Sequence, residues 1–274
     1  DVRATLGLEV SFGAFGVTTL ATGLRDDTKE RHLLGGQLVL RSSAIGPASV
    51  VGPVDHIERI ELEGAIGIRE VTSLVARMRA IQKDKSAKAV VITFDGIGAG
   101  WATLQELHNE VLALNKAGKK TFAYMVTGSG RDYFVASACQ KIYLDPAGAL
   151  RLSGMAGTSI YFKGAFDQIG IAPQFEKIAE YKSAPEQFTE KGPTPTAARM
   201  TAELFDSLWE QWLTQVAAGR KLTKDELEAL IDQGPFSAGD LTANKKLVDA
   251  VAPPDKISAL VTTEVGAAIG IGAP

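Results

Sequence analysis

The chain has 274 residues, of which 45% are hydrophobic and 22% are charged, and its formal net charge is −3. These values are ordinary for a globular chain with a sizeable core, and they exclude the strongly basic surface of a nucleic-acid-binding protein. The only cysteine, Cys139, excludes an internal disulfide. No CxxC or HExxH pattern is present, so we expect no metal site and no cofactor.

Residues 1–55 are rich in glycine, threonine and aliphatic side chains and show no helical period. Two strand-like runs, 6–20 and 37–41, flank a charged loop, which predicts a hairpin or a small meander. Residues 42–53 are typical of a linker. We therefore expect a β-rich amino-terminal extension. Because the chain begins at Asp1 rather than at a methionine, we also expect a piece of a longer protein whose missing part could include a signal peptide or an anchor.

From residue 56 onward the pattern changes to alternating strands and helices, which is typical of an α/β domain with a parallel sheet. The predicted elements are strand 57–62, helix 71–83, strand 87–94, helix 101–117, strand 120–126, helix 132–139, strand 141–144, helix 194–220 and helix 223–232, with final segments at 240–251 and 256–265. This domain is expected over residues 56–265. The Gly/Ala-rich tail, 266–274, is expected to be flexible.

A first glycine-rich loop, 95–100, follows the second predicted strand of this domain. In α/β proteins, sites lie at the carboxyl ends of parallel strands. Gly96 and Gly98 allow backbone N–H groups to point into a cleft, where they could form an oxyanion hole or line a substrate groove. A plain glycine-rich turn is the alternative.

A second loop, 127–131, places Ser129 between Gly128 and Gly130 ahead of a helix. A serine on a sharp glycine turn is similar in form to a nucleophile elbow, although the run does not match GxSxG. Ser129 is therefore the best nucleophile candidate, and the two glycines are further candidates for an oxyanion hole or groove. An ordinary turn serine is the alternative.

None of the three histidines, His32, His56 and His108, lies near a serine or cysteine in a nucleophile motif. A hydrolase would therefore need another general base. A lysine can take this role when burial lowers its pKa from about 10.4 to about 7–8, and Ser–Lys pairs are a known variant of the triad. Lys182 follows a strand-like run, 174–181, so we expect it at a strand end, partly buried at the edge of a cleft. A solvated surface lysine is the alternative.

Five short motifs add a family resemblance. They are Tyr-Phe-Val-Ala-Ser at 133–137, Lys-Ile-Tyr-Leu-Asp-Pro at 141–146, Gly-Met-Ala-Gly-Thr at 154–158, Tyr-Phe-Lys at 161–163 and Tyr-Lys-Ser-Ala at 181–184. Together they resemble the signal peptide peptidase A family of bacterial envelope serine peptidases, over about residues 57–262. The resemblance implies a crotonase-like (Clp-protease-like) repeat with a parallel sheet and flanking helices. It also implies a serine nucleophile and a lysine general base, and Lys182 falls on that lysine.

The sequence departs from the family at the nucleophile. The family's serine lies in a run of the form Ala-Ser-Gly-Gly-Tyr, and alignment on Tyr133 places Gly130 at the serine position, with Ser129 one residue out of register. In long tandem members, the amino-terminal repeat supplies the lysine and the carboxy-terminal repeat supplies the serine. The resemblance thus implies an amino-terminal repeat that contributes Lys182 and is incomplete alone. In short members one repeat carries both residues, and Ser129 would then have to serve.

The resemblance implies a serine endopeptidase that hydrolyses cleaved signal peptides or similar apolar peptides on the periplasmic or extracytoplasmic side of the bacterial envelope. We expect peptide substrates, membrane association of the full-length protein and a homo-oligomer completed by a second repeat. Phe205 and Trp209 lie off the apolar stripe of helix 194–220 and would serve such contacts. The alternatives are a non-catalytic scaffold repeat and an acyl-CoA enzyme of the same fold, since a fold alone does not fix function.

Overall fold

The computed structural model describes residues 2–12, 15–26, 31–42, 55–179, 181–243 and 246–266. The chain divides into two compact units, Asp1–Val54 and Asp55–Pro274. The predicted linker beyond Ser42 and the predicted tail beyond Gly266 lie outside the described residues. None of the described helices combines the length and the apolar composition that a helix needs to span a bilayer.

The first unit is an antiparallel sheet of three strands, β1 (Val2–Phe12), β2 (Phe15–Asp26) and β3 (Arg31–Ser42), in the order β1-β2-β3. The predicted meander is confirmed. The strands β2 and β3 are longer than the sequence runs indicated, because the charged residues Asp26 and Arg31 are themselves paired across the sheet.

The second unit contains a six-stranded sheet built on four parallel strands, β4 (His56–Ala65), β5 (Ala87–Gly98), β6 (Lys120–Ser129) and β7 (Lys141–Arg151). Two short strands complete it. β8 (Phe236–Ser237) is antiparallel to β7, and β9 (Ala250–Val251) is parallel to β7. The prediction of an α/β domain with a mostly parallel sheet is confirmed.

Nine helices are described in this unit: α1 (Ile68–Lys83), α2 (Trp101–Lys116), α3 (Gly130–Ala136), α4 (Lys163–Ile169), α5 (Glu186–Thr189), α6 (Pro195–Arg220), α7 (Lys224–Ile231), α8 (Ala238–Ala243) and α9 (Pro254–Val265). Helix α1 buries the predicted face, with Val71, Val75, Met78 and Ile81 all buried. The main core lies between one face of the sheet and helices α1, α2, α3, α6 and α7. Helix α9 packs on the opposite face through Ile257 and Val261. Each such apolar side chain stabilises the fold by about 1.5–3 kcal/mol.

The predicted strand at 174–181 is wrong. Residues 174–179 and 181 form no strand, and Ile178 is fully exposed. The run mixes aromatic, aliphatic and charged residues, but a strand also needs a neighbour to pair with and a face to bury. In this segment the described residues provide neither.

The two predicted glycine-rich loops are in large part strand. β5 continues to Gly98, which pairs with Ala65 across an irregularity in β4. β6 continues to Ser129, which pairs with Arg151 after a register shift beyond Met125. Glycines and a bulge therefore extend these strands past the point where the apolar pattern stops.

Candidate active site

A cavity of about 470 Å³ opens at the carboxyl ends of β5 and β6, bounded by α2, α3 and α6. We call it the tryptophan cavity, because its apolar lining contains Trp101, Leu104, Met155, Phe205, Trp209 and Trp212. Ala99 and Gly100 from the first predicted loop and Ser129 and Gly130 from the second also line it. The structure therefore brings the ends of both loops to one site, as parallel strands require.

The hydroxyl of Ser129 has a structural role. Ser129 is the N-cap of α3, and its Oγ donates a hydrogen bond of 2.6 Å to Oδ2 of Asp132. The same Oγ accepts from the Asp132 backbone N–H at 3.4 Å, and the Ser129 N–H donates to Oδ2 at 2.9 Å. This is a capping box, which satisfies the free N–H groups at the start of a helix. The turn-serine alternative thus has a specific physical cause, and no described lysine or histidine is hydrogen-bonded to this hydroxyl.

Asp132, which the sequence reasoning did not select, joins the two loops. Its carboxylate is buried, with only 1% of the residue exposed. Oδ1 accepts the backbone N–H of Ile97 at 2.8 Å, while Oδ2 accepts both donors of Ser129. One carboxylate therefore fixes the end of β5 against the start of α3. The sequence signal was present, since an acidic residue three positions after a serine is the pattern of a capping box.

Gly130 is the residue that the sequence resemblance, matched on Tyr133, predicts at the nucleophile position. A Cβ added to Gly130 would meet no atom within 4 Å, so nothing in the packing demands glycine there. Its carbonyl oxygen accepts the indole N–H of Trp212 at 2.9 Å. The position is thus held firmly at the wall of the tryptophan cavity, has room for a side chain, and has no hydroxyl.

The other three candidate glycines do not line the cavity. Gly96 has a positive φ of 69°, which explains the choice of glycine. Gly98 lies against β4, where a Cβ would stand 3.4 Å from Ala65 Cα. Gly128 is in close contact with Met125 and Leu150, whose side-chain atoms would lie 2.5 and 2.8 Å from an added Cβ. Their glycines are explained by backbone conformation and packing, and their role in an oxyanion hole or groove stays a prediction.

Lys182 lies in a loop before α5 and its side chain is exposed. The expected partial burial is therefore wrong for this chain, for the same reason that the preceding strand is absent. Its backbone N–H donates to Ala179 O at 3.1 Å. The ammonium makes no hydrogen bond or ion pair with any residue that the structure describes. No lining residue of the tryptophan cavity comes from this loop.

Glu186, which sequence reasoning also missed, fixes the loop that carries Lys182. Only 3% of this residue is exposed. Its carboxylate accepts the backbone N–H and the hydroxyl of Thr194, the N-cap of α6, at 3.1 and 3.0 Å. Burial alone would raise the pKa of Glu186, but the hydrogen bonds from Thr194 and the nearby Lys177 ammonium hold the pKa below its usual value. The loop is therefore anchored to the start of α6.

Several large apolar side chains are exposed in the part of the chain that contains Lys182. Exposed large side chains between residues 160 and 204 include Ile160, Ile169, Phe175, Ile178, Tyr181 and Leu204. Phe205 and Trp209, which were expected to contribute to this surface, are half-buried and line the tryptophan cavity instead. These two side chains of α6 thus contact the cavity of their own chain, whereas Ile178 and Tyr181, close to Lys182 in sequence, are exposed.

The fold and the cavity define an α/β domain with a site at the ends of parallel strands, and comparison with known proteins supplies the family. The model of peptidase family S49 matches residues 113–267, more than half of the chain and a range that contains Ser129, Gly130 and Lys182. The chain belongs to peptidase family S49. The resemblance to signal peptide peptidase A is confirmed by this match and by the names of the relatives.

The chain is 28% identical to Protease 4 of Salmonella typhi over 202 residues, which are 70% of this chain and 32% of that protein. It is 26% identical over 153 residues to the chloroplastic serine protease SPPA of Arabidopsis thaliana, covering 56% of this chain and 23% of that protein. Protease 4 of Haemophilus influenzae is 25% identical over 170 residues, or 61% and 28% of the two chains. The chain thus spans about a quarter to a third of the length of these relatives.

Among solved structures, the chain is similar to a membrane-bound stomatin-specific protease. The identity is 11% and the TM-score is 0.49, with 80% of this chain and 89% of that chain covered.

Proposed function

We propose that this chain is the amino-terminal repeat of a tandem serine peptidase, in which Lys182 is the general base and another segment supplies the serine. The observation that carries the proposal is the state of the nucleophile position. Gly130 has no hydroxyl, and the neighbouring Ser129 is committed to the capping box with Asp132. A chain that spans about a quarter to a third of its relatives leaves room for a second repeat with the serine.

The exposure of Lys182 is consistent with a shared site. A lysine must be desolvated to be neutral near pH 7, and only the neutral amine accepts a proton from serine. In the described part of this chain Lys182 is exposed. The desolvation must therefore come from the segment that brings the serine, and the exposed apolar residues around Lys182 are suited to contact it.

The proposal extends to fold, substrate and setting. The fold is of the crotonase-like, Clp-protease-like kind, and the substrates are cleaved signal peptides or similar apolar peptides. The full-length protein acts as a homo-oligomer at the bacterial envelope, on its periplasmic or extracytoplasmic side, in association with the membrane. The names of the relatives support a peptidase over an acyl-CoA enzyme.

A second candidate is a scaffold repeat that builds the oligomer and contributes no catalytic group. The exposure of Lys182 favours it, because an ordinary surface lysine would look the same. The two candidates differ in one respect, which is the effect of removing Lys182 from the complete protein.

The test uses the full-length tandem protein and an apolar peptide substrate. We expect Lys182→Ala to lower kcat by about 10²–10⁴-fold, the usual contribution of a general base, with an unchanged circular dichroism spectrum. Lys182→Arg should be equally inactive, because a guanidinium stays protonated. Lys191→Ala, which changes an exposed lysine of the following loop, is the matched control and should keep full activity. If Lys182→Ala retains turnover, the scaffold candidate replaces the peptidase one.

A further inference from the structure

The tryptophan cavity has the size and lining of a ligand site. Its volume of about 470 Å³ lies within the range of about 300–1,000 Å³ that small-molecule pockets occupy. All three tryptophans of the chain line it. Trp209 and Trp212 stack with their ring centroids 5.0 Å apart and an interplanar angle of 8°. Such a wall suits a flat or branched apolar group.

The cavity has one charged lining residue, Arg131. This guanidinium is exposed, and it makes no hydrogen bond or ion pair with any described residue. Alignment on Tyr133 places Arg131 at the first glycine of the family's Ala-Ser-Gly-Gly-Tyr run. The cavity thus carries a cation with no partner among the described residues, next to Gly130.

We propose that the tryptophan cavity binds the carboxyl-terminal end of an apolar peptide. The last side chain enters among the tryptophans, and Arg131 pairs with the free carboxylate. A guanidinium binds a carboxylate through two parallel hydrogen bonds, which gives orientation as well as affinity. The choice of a peptide rests on the proposed function, whereas the apolar cavity and its single cation do not. The cavity in this repeat is then a binding site without chemistry, able to hold a cleaved product or the end of a substrate.

The experiment is a titration of intrinsic tryptophan fluorescence in the 274-residue chain. The ligands are acetyl-Ala-Leu-Phe with a free carboxylate, the same peptide as its carboxamide, and dodecanoate. We expect the peptide acid to bind saturably and about tenfold more tightly than the carboxamide, the difference that one charge-assisted pair supplies. Lys182→Ala should leave this binding unchanged, which keeps the result separate from the catalytic proposal.

Three variants sharpen the result. Arg131→Gln should raise the Kd of the peptide acid to that of the carboxamide. Arg69→Gln, which changes an exposed arginine at another surface pocket, should leave the tenfold ratio intact. Gly154→Leu should abolish binding of both peptides by filling the cavity, since a Cβ at Gly154 meets nothing within 4 Å and the backbone can accept it.

Several outcomes overturn the proposal. Equal affinity for the acid and the carboxamide would remove the role of Arg131. The absence of saturable binding would remove the site. Saturation by dodecanoate at a tenfold lower concentration than the peptide acid would replace the peptide by a fatty acid.

Discussion

Replacing His108 on α2 should remove an acid-sensitive weakness of the core. His108 is 3% exposed and stacks on Phe134 with ring centroids 4.8 Å apart. Neither ring nitrogen has a hydrogen-bond partner among the described residues. Burial lowers the pKa of His108 from 6.5 to about 4. The folded chain therefore keeps this imidazole neutral at a pH where the unfolded chain protonates it.

The sign of the effect follows from proton linkage. At about pH 7.5 and above both states are almost entirely neutral at His108, and the residue adds almost no pH dependence. As the pH falls from 6.5 towards 4, the unfolded state binds a proton that the folded state refuses, so the free energy of unfolding falls. The full pKa difference corresponds to about 3 kcal/mol, of which about 2.5 kcal/mol should be lost between pH 7.5 and pH 4.5.

Urea unfolding followed by tryptophan fluorescence measures this loss, because all three tryptophans lie in the second unit. The change in unfolding free energy between pH 7.5 and 4.5 should be about 2.5 kcal/mol smaller in His108→Leu than in the wild type. Leu107→Val, at the neighbouring fully buried position, should lower stability equally at both pH values. If His108→Leu and the wild type lose the same stability on acidification, the imidazole is paired or hydrated and the reasoning is wrong.

Three further outcomes are expected of the 274-residue chain. A serine-directed phosphonate should not label Ser129, and labelling of Ser129 would favour a self-sufficient short-form site. Ser129→Ala should lower the free energy of unfolding in urea by about 1 kcal/mol through loss of the helix cap. Gly128→Ala should cost about 1–3 kcal/mol by overpacking against Met125 and Leu150, whereas Gly154→Ala, in open space, should cost much less. Light scattering should give a mass above the 29.0 kDa of one chain at high concentration, and a clean monomer would contradict self-association.

The elements that the sequence predicted well are those whose pattern is tied to burial. In α1, apolar residues at Val71, Val75, Met78 and Ile81 fall on one helical face, and all four are buried against the sheet. Strands β5 and β6 contain continuous apolar runs that are buried, whereas β4 alternates apolar and charged residues. Burial on both faces forces this composition, so the pattern and the structure have one cause.

The wrong and missed predictions concern features that depend on contact with another segment of the chain. The run 174–181 has a strand-like composition, but composition does not create a neighbouring strand for it. The exposure of Lys182 follows from the same absence. The hydrogen bonds of Asp132 and Glu186 were missed for a related reason, since each carboxylate joins segments that only the folded chain brings together. Asp132 joins Ile97 to Ser129, and Glu186 joins the Lys182 loop to α6.

Helix α6 is a core element in only part of its length. Trp212, Leu213, Val216 and Ala217 are buried, whereas every residue from 198 to 204 is exposed. Two turns of the helix, about 10 Å at 1.5 Å per residue, thus lie outside the packed core. At their far end, Glu186 bonds to Thr194, and Arg199 donates to the Tyr181 hydroxyl at 2.6 Å.

The position of the loop that carries Lys182 therefore depends on the exposed turns of α6 rather than on the sheet. A deletion of one residue within 198–204 would shift the first residues of α6 by about 1.5 Å along the helix axis and rotate them by about 100°. The buried contacts of α6 would stay in register. The length of the exposed stretch 198–204 is thus independent of the buried contacts that stabilise the fold. It sets the distance between the anchored Lys182 loop and the buried part of α6.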